Sequence, residues 1–149
     1  MKIHQLACVA VLGLLAAGCP TFANAPGAAF AKAPPSPGKA TVYFYRPAQK
    51  IMSDYPFFMS LPESANNCFR LESGGYTAFV TDPGQVTVAG MMIKYSKKTF
   101  DLKAGEERYV EIQISDDDAV MAEVSAAEAQ PKLAATRGIN TCTEQVKAK

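Results

Sequence analysis

The chain has 149 residues, with 15 Lys and Arg against 14 Asp and Glu, four Cys and a single His. So even a balance offers no clustered positive field to displace counterions from phosphates, which excludes nucleic acid as a partner. The one His is residue 4, inside a segment read below as removed. A mature chain then has no imidazole for a Ser-His-Asp or Cys-His hydrolase, nor for a zinc site.

Lys2 and His4 open the chain, and an almost wholly apolar run from Leu6 to Gly18 follows. A positive start, a short apolar stretch and a small-residue site define a secretory signal, too short to persist as a membrane-spanning helix. Two processing signals then compete. Leu15-Ala16-Ala17-Gly18-Cys19 resembles a bacterial lipobox, in which the cysteine is acylated and becomes the new N-terminus. Ala16 stands where that motif usually has Leu, three residues before the cysteine. The rival is a cut after Ala25, with Ala23 and Ala25 as the small pair, although Pro26 makes a poor residue after the cut. A cut after Gly27 avoids that problem. We read Cys19 as the lipidation site. The absence of Asp at position 20, which is Pro, favours the outer membrane, with the domain facing the periplasm. The alternative is a soluble periplasmic protein that discards Cys19.

The domain plan follows. The signal is 1–18, or about 1–25 to 1–27 if the general signal peptidase acts. Residues 19–38, with Pro20, Pro26, Pro34, Pro35 and Pro37 among Ala and Gly, read as an extended tether. A domain spans 39–142, long enough for a core, and 143–149 is a tail. Cys68 and Cys142 are the two cysteines left to the domain, so one disulfide is expected in an oxidising compartment. It would contribute about 4–5 kcal/mol at most.

Within the domain the period is two. Strands are predicted at 40–46, 75–81, 85–89, 98–102, 108–114 and 119–124, rich in β-branched and aromatic residues. Asp82-Pro83-Gly84 and Lys103-Ala104-Gly105-Glu106 each read as the turn of a hairpin joining the flanking strands. In 108–114, Tyr109, Glu111 and Gln113 alternate with Val110, Ile112 and Ile114, which predicts one face in the core and one in water. Ser125-Ala126-Ala127-Glu128 fits a helical capping box. Pro131 is expected to interrupt that helix and start a new turn. The result is a mainly β fold, a small antiparallel β-sandwich with a short C-terminal helix.

Gly38-Lys39-Ala40-Thr41-Val42-Tyr43-Phe44-Tyr45-Arg46-Pro47 resembles the opening of a bacterial envelope family of unknown function related to PEGA-type β-sandwich domains. Gly75-Tyr76, Asp82-Pro83-Gly84-Gln85, Leu102-Lys103-Ala104-Gly105-Glu106 before Tyr109-Val110, and Val124-Ser125-Ala126-Ala127-Glu128-Ala129 follow in the family's order. The resemblance covers about 38–137 and departs from the pattern between Ile51 and Cys68, where pairing is open. It implies a small envelope protein, often a lipoprotein, and brings no catalytic residues.

Four features invite functional readings. Asp116-Asp117-Asp118 lacks the spacing of a calcium loop and reads as a solvated turn. Lys94, Lys97 and Lys98 read first as edge-strand protection, with an anionic surface as the rival. Tyr55, Phe57 and Phe58 form a candidate interaction patch with those lysines, Phe57 and Phe58 doubling as candidate core anchors. Arg46 before Pro47 reads first as a strand-end residue paired with an acidic neighbour, with recognition of a carboxylate or phosphate as the rival. No catalytic residue, cofactor or metal site is expected. The chain reads as a non-catalytic envelope module, anchored in the membrane by an N-terminal lipid, that contacts another envelope protein or the cell wall. A soluble small-ligand binder or an unrecognised hydrolase is the alternative.

Overall fold

A computed structural model describes residues 25–61, 68–115 and 118–139. In chain order its elements are β1 (Ala40–Tyr45), β2 (Phe57–Ser60), β3 (Cys68–Leu71), β4 (Gly75–Thr81) and β5 (Gly84–Met91). They continue with β6 (Tyr95–Leu102), β7 (Glu107–Ile114), β8 (Ala119–Val124), α1 (Ala126–Leu133) and β9 (Arg137–Gly138). The proposed signal peptide, Cys19, Asp116, Asp117, Cys142 and the 143–149 tail lie outside the described residues.

The strands form two sheets, ordered β8-β7-β1-β4-β9 and β3-β2-β5-β6. The alternation of β1 explains its central place. Ala40, Val42 and Phe44 enter the core between the sheets, while Tyr43 and Tyr45 are buried on the opposite face. A strand apolar on both faces needs cover on both. The main core joins those β1 residues to Phe57, Met59, Leu71, Val86, Val88, Phe100, Val110 and Ile112 from the two facing sheets.

Both expected hairpins are corrected by this topology. β4 ends in the first sheet and β5 begins in the second, so Asp82-Pro83 carries the chain across the sandwich. Gly84 has φ 134°, a region open essentially to Gly alone, and it turns the corner. Lys103–Glu106 likewise takes the chain from β6 back to β7 in the other sheet. The actual neighbours are β5 with β6, from Gly84↔Leu102 to Met91↔Tyr95, and β7 with β8. β1 and β7 run parallel, Tyr43 beside Tyr109.

The face of β7 expected in water is covered at Tyr109 and Glu111, while Gln113 is exposed as expected. Tyr109 and Glu111 are buried there, under α1, whose Ala129 and Leu133 pack against Tyr43, Tyr45 and Tyr109. The capping box is present: Ser125 Oγ accepts from the Glu128 N–H, and Glu128 Oε2 accepts from the Ser125 N–H. Pro131 does not break the helix, which runs through it to Leu133. Burial of Ala129 and Leu133 offsets the one backbone bond that Pro131 cannot donate. The α1 ammonium of Lys132 and the Tyr45 hydroxyl both donate to the buried Glu111 carboxylate, at 2.6 and 2.7 Å.

The Pro/Ala-rich stretch is docked over much of its length. Phe30 packs edge-on against Tyr43 and Tyr76, and the Ala31 and Ala33 amides donate to the Tyr76 and Tyr43 hydroxyls. The Gly27 N–H donates to the Gly138 carbonyl, the Gly138 N–H donates to the Ala28 carbonyl, and Ala25 is buried beside Gly75. The third layer is therefore half helix and half extended chain.

Candidate contact surface

Strand directions sort the loops into two ends. At one end lie Lys39, the Asp82-Pro83 corner and the Lys103–Glu106 turn. At the other lie the 46–56 loop, the Glu72–Gly74 connection, the Met92–Lys94 hairpin turn, and Ser115 with Asp118. We call the second the loop end. The outer face of the second sheet has no covering layer among the described residues, in contrast to the first.

Cross-strand register builds an apolar row on that uncovered face near the loop end: Phe58 opposite Met91, and Met91 opposite Tyr95. The next row is Cys68, Ser60, Ala89 and Lys97. Between the rows lies an open, mostly apolar groove of about 180 Å³, lined by Phe58, Ser60, Cys68, Ala89, Met91 and Tyr95 among others. Its floor depends on one close approach. The ring of Phe57 lies over Gly90 from the core side, where any Cβ at position 90 would overlap it.

This geometry divides the predicted patch. Phe57 is fully buried and is a core anchor, so it is no part of a contact surface. Strand alternation turns its neighbour Phe58 outward. Tyr55 is 62% exposed and sits in the 46–56 loop, apart from the groove residues. Lys98 points between the sheets. It donates to the Met121 carbonyl at 3.3 Å and pairs with Glu123 at 3.4 Å. Lys94 lies 4.0 Å from Asp118. Lys97 is exposed and stands 5.6 Å from the centre of the Tyr95 ring. β6 is an edge strand, so an inward Lys98 and outward Lys97 suit edge protection. Ser115 and Asp118 close their turn by a 2.9 Å backbone bond.

Arg46 departs from expectation. It is fully buried, and its guanidinium donates to the Tyr55 and Met52 carbonyls at 2.5 and 2.6 Å instead of pairing with a carboxylate. Burial pushes it well below the usual arginine range, to about 10. It fastens a loop in which Met52 has φ 54°. Two further bonds, between Ser73 Oγ and the Gln49 backbone, tie the loop to the β3–β4 connection.

The groove residues Met91, Ala89 and Ser60 were not singled out by the sequence. Their signal is non-local, because only the register of β2, β5 and β6 brings them together. Among the described residues there is no cluster of metal-ligating side chains, and no helix is long and apolar enough to cross a membrane.

A family model described as a protein of unknown function, DUF2846, matches residues 36–126. The chain belongs to that family. The DUF2846 match runs from just before β1 through β8 and stops at the first residue of α1. It supports the sequence resemblance at the level of a family of unknown function and gives no link to PEGA-type domains. No curated protein matches the chain.

Proposed function

We propose that this DUF2846 protein is a non-catalytic envelope module: a β-sandwich tethered by an acyl group on Cys19 that contacts another envelope component through the second sheet. The supporting observation is the asymmetry of the two sheets. One outer face is covered over its centre by α1 and residues 25–33, leaving Val80 and Val120 exposed singly, while the other exposes the contiguous Phe58–Met91–Tyr95 row and its groove. Exposed contiguous apolar surface of this kind marks interaction sites. A shallow apolar groove suits an inserted aliphatic or aromatic side chain better than acid–base chemistry, which needs converging titratable groups. Kinship with PEGA-type sandwiches is part of this reading as an analogy of architecture. So is the Cys68–Cys142 disulfide, Cys68 being half-buried at the groove's β3 rim.

Photocrosslinking in the native envelope tests the reading. A photoreactive residue at Tyr95 should give a discrete adduct that Met91→Asp abolishes, and one at Gln85, at the far end of β5, should not. Substrate turnover by the purified protein, lost on substituting one Asp or Glu, would instead make it an enzyme.

A further inference from the structure

The large apolar side chains that stand exposed are unevenly placed. Ile51, Tyr55 and Ile93 are 51%, 62% and 56% exposed, and all three lie in loops at the loop end. Phe58, Met91 and Tyr95 form the strand row nearest that end, and Val120 lies near it on β8, whereas Val80 lies toward the far end. The N-terminal segment arrives at the same end. From Ser36 it runs back along the outer face of the first sheet, past Tyr43 and Tyr76, to Gly27 on Gly138 and Ala25 against Gly75. The Gly75 carbonyl accepts from the Arg46 N–H, and Arg46 holds the carbonyls of Met52 and Tyr55. A short chain of contacts thus links Ala25 to the exposed loop.

We infer that the loop end rests on the lipid bilayer, with Ile51, Tyr55 and Ile93 entering its interfacial zone. The inference rests on the acylated-Cys19 reading. Only residues 20–24 separate Cys19 from Ala25, and a fully extended chain of that length reaches about 20 Å. Because the rest of the expected tether is fixed to the sandwich, the anchor holds this particular end near the surface. Side chains such as Ile and Tyr suit the membrane–water boundary. Charges of both signs share this end: Lys50 and Asp54 lie in one loop, and Lys94 lies 4.0 Å from Asp118. The contact is therefore hydrophobic, independent of anionic lipid and only weakly sensitive to salt.

The chain has no Trp, so single reporters can be placed on the full-length protein: Ile51→Trp, Ile93→Trp and, at the far end, Val80→Trp. Each mature protein is purified from the envelope, its N-terminal mass measured, and reconstituted in vesicles of bromine-labelled phosphatidylcholine. Exposed positions tolerate the substitution, and circular dichroism of each variant checks the fold. Acylated protein should show fluorescence quenching at 51 and 93 several-fold greater than at 80, unchanged by added phosphatidylglycerol. Equal weak quenching at all three positions of an acylated protein would overturn the bilayer contact, leave the anchor standing, and return this end to a protein partner. A mature chain lacking Cys19 would overturn the anchor and the inference together.

Discussion

Gly90 and Phe57 occupy one volume between them. With the ring lying where a Cβ would be, Gly90→Ala must displace Phe57 from a packed core, and overpacking of this kind costs about 1–3 kcal/mol. A urea titration should show the lowered midpoint with an unchanged slope. Arg46 is a second such position. Its planar fork spans two carbonyls, which a lysine cannot do at once, so Arg46→Lys should cost about 2–3 kcal/mol. It should also open the 46–56 loop to protease before the sandwich unfolds. A carboxylate partner was expected for Arg46 because a loop's own carbonyls carry no sequence signal, whereas a carboxylate does.

Among the elements, α1 and the docked 25–33 segment carry the third layer. Leu133→Ala empties a fully buried site and should cost about 2–5 kcal/mol. The segment's attachment should also follow pH. Lys32 pairs with Glu107 at 2.9 Å, and the Tyr109 hydroxyl donates to the same carboxylate. Burial pushes the Glu107 carboxyl up, but these hydrogen bonds outweigh it and hold the group below its ordinary value. Lys32 is held above its own, chiefly by its hydrogen bond to Glu107. A depressed carboxyl stabilises above its unfolded pKa and loses that as pH falls through its folded value. A raised ammonium stabilises below its unfolded pKa and loses that as pH rises through its folded value. Docking should therefore hold from about pH 5 to 10 and weaken outside it. Protection of the Ala33 amide from hydrogen exchange, corrected for intrinsic rates, should fall below about pH 4, and Glu107→Gln should remove that acid limb.

Strand identity was legible because β1, β4, β7 and β8 each satisfy period two locally. Strand partnership was not. Asp-Pro-Gly and Lys-Ala-Gly-Glu encode a reversal, and the same reversal serves a hairpin or a corner between sheets. What decides is which faces need burying, and the clue was present in β1, where Val42 and Phe44 alternate with Tyr43 and Tyr45 so that neither face is polar. That pattern demanded a third layer. The same clue corrected the expectation of a solvated face on β7, since Tyr109 lies beside Tyr43 at a ring separation of 5.4 Å.

At the scale of the molecule, the two sheets differ: one is covered over its centre by a third layer, the other is open, and Ala25 is brought to the end where exposed apolar loops collect. That arrangement has a purpose only if something holds the start in place, and Cys19 is the residue proposed to do so. The direct measurement is the intact mass of the mature protein expressed in a Gram-negative host, with and without reductant. The account predicts an N-terminus at Cys19 carrying acyl chains, and a gain of about 2 Da on reduction from the Cys68–Cys142 bridge. An unmodified N-terminus at Pro26 or Ala28 would contradict it, making the protein a soluble periplasmic one whose loop end is tethered to nothing.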